Sequence, residues 1–99
     1  MDDAGPDALR EAIRDMHGCH SRWVESVAVR EASRSRLWEG EVQVFELTGH
    51  PVAKRCYAWS YPVGSTTRRI VALLHSPHVD SPAAAVRAFL EADARTMKN

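Results

Sequence analysis

LTGHPVAKRCYAWSYP, Leu47–Pro62, packs a Gly-His-Pro turn, two cations, a thiol and three aromatics into one short stretch. How it divides between the two sides of a strand decides the fold. Gly49-His50-Pro51 is turn chemistry, because Gly reaches positive φ without a clash and Pro fixes its own φ. In the strand that follows, successive side chains point to opposite faces. That sends Lys54, Cys56 and Ala58 to one side and Arg55, Tyr57, Trp59 and Tyr61 to the other.

Working outward, LWEGEVQVFELTG reads as a strand over 37–48, and the quoted stretch supplies another over 53–61. PVGST is a second turn, and TRRIVALLH is a strand over 67–76 that Pro77 ends, since proline cannot donate to a ladder. Upstream, RWVESVAVRE alternates as a strand over 21–31, and EASRSR, 31–36, is a polar loop. Pro6 and Asp7 open a helix over 6–17 with the stripe Leu9, Ala12, Ile13, Met16 and the stop Gly18. Asp80 or Ser81 caps a helix over 82–95, with Pro82 in its first turn and Val86, Phe89 and Leu90 on its apolar face. The order α-β-β-β-β-α over a single domain, 1–99, predicts an α+β two-layer sandwich. In it a four-stranded antiparallel meander carries both helices on one face.

Register assigns the faces. A hairpin turning across 48–52 sets Val44 against Cys56 and Val42 against Ala58, and a turn across 62–66 sets Cys56 against Ala72 and Ala58 against Ile70. The core face then reads Val42, Val44, Cys56, Ala58, Ile70, Ala72 and Leu74. The other face, with both helices spent, is open. It presents the candidate binding residues Glu41, Phe45, Arg55, Tyr57, Trp59, Tyr61, Arg69 and His75. Exposed aromatics among charges mark a partner or ligand surface. The expectation is a binding or interaction module, a homodimer joined sheet to sheet, with a small-molecule or protein ligand as the other occupant. One alternative is a small-molecule enzyme with its site in a sheet-face or dimer groove. Another is nucleic-acid binding through the loop cations Arg34, Arg36, Lys54, Arg55, Arg68 and Arg69.

Composition bounds these readings. Thirteen basic and thirteen acidic side chains leave a net charge of zero, so no global field draws the chain to nucleic acid or to an anionic membrane. No apolar run is long enough to cross a bilayer, and the acidic start MDDAGPDALR is not a secretory signal. Two cysteines read as free thiols of a reducing, cytoplasmic compartment. His17, Cys19 and His20 crowd three metal-ligating types together, but no second cluster of matching spacing completes a zinc set. Cys56 lies on the predicted core side, where a thiol is inert. Glu39 and Glu41 share one strand face and serve as partners for Arg55 or Arg69. No phosphate loop, nucleophile elbow or metalloprotease helix is present. No catalytic residue, metal or cofactor is assigned.

Two resemblances add expectations. ELTGHPVAKRCYAW, a further strand, and then SPAAAVRAFLEAD resemble the second half of a double-stranded-RNA-binding domain. That family grips phosphates with a lysine cluster at the start of its last helix. Here the matching positions are Pro82, Ala83, Ala84, Ala85 and Val86, preceded by Asp80, so the resemblance does not carry RNA binding with it. Over more of the chain, WxGxVxVFxLTGHPxAxxCYAW followed by RRxVAxLHxPxVxSPxxAVRA resembles short uncharacterised bacterial proteins of the mobile (integron) gene-cassette kind. That resemblance implies a bacterial cytoplasmic origin and no assigned activity.

Overall fold

The computed structural model describes residues 5–33 and 36–96. Along the chain come α1 (Pro6–His17), β1 (His20–Ser33), β2 (Arg36–Thr48), β3 (Arg55–Val63), β4 (Thr67–Leu74) and α2 (Pro82–Thr96). The strands form one open antiparallel sheet in the order β1-β2-β3-β4, an α+β fold with the element order the sequence predicts. β1 and β2 extend through most of the expected polar loop, whose residues 34–35, Arg34 among them, lie outside the described residues. So does the expected frayed end from residue 97 on. α1 ends at Gly18, whose φ of 68° lets its N–H reach the Arg14 carbonyl at 2.9 Å. Ser81 caps α2, its Oγ accepting from the Ala84 N–H at 3.1 Å.

The β2–β3 register departs from the symmetric hairpin by one residue. Val44 faces Tyr57 and Phe45 faces Cys56. The cause lies in residues 49–54. The His50 side chain folds back, and its Nδ1 accepts from the Val52 N–H at 3.1 Å and the Ala53 N–H at 2.9 Å. The ladder resumes where the Leu47 N–H donates to the Lys54 carbonyl. One residue of slip exchanges every side chain of one strand between faces. Val42 and Val44 therefore lie with Tyr57 and Trp59, and Phe45 lies with Cys56, Ala58 and Ala72.

Each of these faces is a core, which corrects the placement of both helices on one side. α2 packs Ala85, Val86 and Leu90 against Val42, Val44, Tyr57 and Trp59. α1 packs Leu9 and Ile13 against Phe45, Cys56, Ala58 and Ala72. Because Cys56, Tyr57, Ala58 and Trp59 alternate along one strand, the two helices sit on opposite faces of the sheet. The two edge elements β1 and β4 each adjoin one helix in the chain, and each helix crosses back over the side it reaches. The open aromatic face does not exist: Tyr57 is 1% and Trp59 2% exposed within the single chain. With it goes the surface on which a sheet-to-sheet homodimer was expected.

The sheet is uneven. β1 and β2 pair from His20–Thr48 to Ser33–Arg36, and β3 and β4 from Cys56–Leu74 to Val63–Thr67, but β2 and β3 pair only from Gln43–Ala58 to Glu46–Arg55. Two hairpins thus join at one end and part at the other. The even-numbered residues of β3 turn their backbone groups toward β2, as the Lys54 carbonyl does. Beyond Ala58 those residues are Ser60 and Pro62. Pro62 has no N–H to give, and Arg68 Nη2 occupies the Ser60 carbonyl at 3.0 Å. β3 therefore has little with which to continue the ladder.

Candidate functional site

The eight candidate residues separate into two places and two outliers. Arg55, Tyr57 and His75 meet at the joined end of the sheet. Glu41, Trp59 and Tyr61 line the gap at the parted end. Phe45 is buried under α1, and Arg69 is exposed on β4. The grouping of Arg55 with His75 follows from the ladder, since the His75 N–H donates to the Arg55 carbonyl at 2.9 Å.

At the joined end the loop 49–54 and the segment 75–80 wall a groove of about 560 Å³. Both walls are braced. His50 ties down one, and Ser76 and Val79 exchange backbone hydrogen bonds of 3.0 and 3.1 Å across Pro77 and His78 in the other. Val52, Ala53 and Pro77 give the groove its apolar surface, and Lys54, Arg55, His75 and Asp80 its charge and polarity. Lys54 and Asp80 are the residues the sequence reading did not place there. Of the two cap residues the sequence offers, Asp80 and Ser81, it is Ser81 that takes the role.

Behind the wall runs a short polar chain. Tyr57 Oη lies 2.8 Å from His75 Nδ1. Burial raises the Tyr57 pKa above its ordinary value, Arg55 pulls it down, and the nearby Asp80 pushes it up. The net rise keeps the phenol protonated at neutral pH. Tyr57 is thus a buried hydrogen-bonding post for His75. Among the described residues, neither Lys54 nor Arg55 has a carboxylate at ion-pair distance.

The other sequence candidates find structural roles. His17 Nε2 donates to the Ala72 carbonyl at 2.9 Å, pinning the end of α1 to β4. Cys19 is buried, while His20 is exposed. Burial, with the neighbouring Cys19 as a lesser cause, pushes the Cys56 thiol up to about 12, far from the range of a nucleophilic thiolate. Glu39 pairs with Arg30 at 3.4 Å rather than with Arg55 or Arg69. No helix of the described residues is long and apolar enough to cross a membrane. Comparison with known protein families, with curated proteins and with solved structures finds no match.

Proposed function

We propose that this chain is a small-ligand-binding protein whose groove at the joined end of the sheet takes an organic monoanion with an apolar body. The observation that carries the reading is Arg55. It stands at a partly apolar groove with no carboxylate partner among the described residues. A guanidinium recognises a carboxylate through two parallel hydrogen bonds. Lys54 adds a second cation. Asp80 sets the limit, because its charge opposes a ligand with two negative groups and so favours a monocarboxylate over a phosphate monoester. Val52, Ala53 and Pro77 supply the surface for the ligand's hydrocarbon part.

Calorimetric titration with benzoate and hexanoate, against benzamide and hexanol as uncharged controls, tests this. The acids should bind and the controls should not, and Arg55→Ala should abolish the difference. Equal binding of acid and amide, or no binding of either acid, would overturn the assignment.

A further inference from the structure

We infer that the carboxylate taken by the groove belongs to an apolar α-amino acid, whose ammonium group is held by Asp80. The inference rests on the reading of Arg55 above. It keeps the single negative group of that reading and adds one positive group. What leads to it is the way charge is divided across the groove. Lys54 and Arg55 come from one side, at the end of the loop 49–54 and the start of β3, and Asp80 closes the segment 75–80 on the other. Among the described residues Asp80, like the two cations, has no side chain of opposite charge at ion-pair distance. The groove is therefore polarised across its width. A ligand with a carboxylate alone meets the cations but leaves Asp80 unanswered, and a ligand with both charges matches both sides.

Both sides are held by their backbones. They meet where the His75 N–H donates to the Arg55 carbonyl at 2.9 Å. Beyond that point Ser76 and Val79 close a tight bridge. The Val79 N–H is shared between the Ser76 carbonyl at 3.1 Å and the Ser76 Oγ at 3.2 Å, and the Ser76 N–H donates to the Val79 carbonyl at 3.0 Å. Ser81 is fixed in turn as the cap of α2. Asp80 lies between these two braced residues, so its place on the wall is set before a ligand arrives.

The spacing favours charges that sit close together in the ligand. Arg55 and Asp80 both act on the buried Tyr57 hydroxyl, the first lowering and the second raising its pKa. That hydroxyl is bonded to His75 of the groove wall. The two opposite charges thus bear on one small region behind the groove. An α-amino acid carries its carboxylate and ammonium on a single carbon, whereas an ω-amino acid separates them by its whole chain. With the two charged groups engaged, the side chain is left for Val52, Ala53 and Pro77, and an apolar one suits them.

Calorimetric titrations at neutral pH test this with leucine against isocaproate, which lacks the ammonium, isoamylamine, which lacks the carboxylate, and ε-aminocaproate, the isomer with its charges far apart. Phenylalanine, hydrocinnamate and phenethylamine repeat the comparison with an aromatic body. At least one amino acid should bind about fivefold more tightly than its own deaminated acid, the upper end for an exposed ion pair. The amines should not bind, and leucine should bind more tightly than ε-aminocaproate. Asp80→Asn should reverse the preference, because the ammonium then faces only cations while the simple acid is freed of a repulsion. A merely structural role for Asp80 would weaken both. The inference is overturned if the acids bind as tightly as the amino acids, if ε-aminocaproate binds better than leucine, or if Asp80→Asn leaves the preference unchanged. In each of these cases, carboxylate binding that Arg55→Ala abolishes leaves the reading of Arg55 standing. A groove that takes no carboxylate overturns both.

Discussion

The two faces of the sheet solve the same packing problem in opposite ways. On the α1 side the sheet is mostly small, Cys56, Ala58 and Ala72, and the helix brings the bulk in Leu9 and Ile13. On the α2 side the sheet is large, Tyr57 and Trp59, and the helix meets it with Ala83, Ala85 and Val86 before Phe89 and Leu90 fill in. Volume is conserved across each interface while its ownership changes, as close packing requires. The contrast shows that neither face alone defines the core. The four residues Cys56-Tyr57-Ala58-Trp59 contribute alternately to both, and all four are buried.

Those four positions give direct ways to break or sharpen the contrast. Trp59→Ala removes the largest fully buried side chain on the α2 side and should cost about 3–5 kcal/mol in urea unfolding, the range for emptying an aromatic site. Its neighbour Ala58 tests the other interface in the other sense. Ala58→Leu adds volume beneath Leu9 and Ile13 and should cost about 1–3 kcal/mol by overpacking. If Ala58→Leu were neutral, α1 would not be packed against the sheet as described.

Cys56 separates the faces by pH. Its thiol, ordinarily at 9.0, is pushed up to about 12 in the folded chain by burial. Below pH 9 the folded and unfolded chains are both protonated and the stability is intact. As pH rises toward 12 the unfolded chain gives up the proton first, so stability falls. In urea melts across that window this group should contribute a loss of about 1.4 kcal/mol per pH unit. Cys56→Ala should remove that component and leave the smaller one from Tyr57, whose pKa is also raised.

The smallest effect belongs to Tyr57→Phe, which keeps the ring beneath α2 and deletes the hydroxyl bonded to His75. About 1 kcal/mol of stability should be lost. Affinity for benzoate should fall by more than that loss of folding stability explains, because His75 in the groove wall loses its hydrogen-bond partner. Unchanged affinity would detach Tyr57 from the groove.

Much of this was legible in the chain. Pro6, Gly18, Pro82 and the stripe Leu9–Ile13 bound the helices correctly, because caps and periodicity are local. The strands followed from alternation and from the turns at Gly49 and Gly64, whose φ values are 92° and 74°. One further signal was present and misread. A continuous apolar run such as CYAW marks a strand covered on both faces, not one with a wet side. Of the groove, Arg55, Tyr57 and His75 could be picked out as residue types worth watching. Their meeting could not be read, nor could the share of Asp80 and Lys54 in it, because that depends on loop paths. The gap at the parted end was less legible still. Pro62 hinted that β3 must leave its neighbour, but Arg68 on Ser60 appears only once the hairpins are folded.

The sequence by itself determined the elements, their order and the antiparallel meander, all of which rest on interactions between residues near one another in the chain. Tertiary structure alone decided the β2–β3 register and the side each helix takes. The register turned on the His50 side chain bonding the backbone of its own loop, a single-residue difference that composition does not encode. The helix placement turned on volume. Once that register put large residues on one face and small ones on the other, a helix of matching bulk was needed on each.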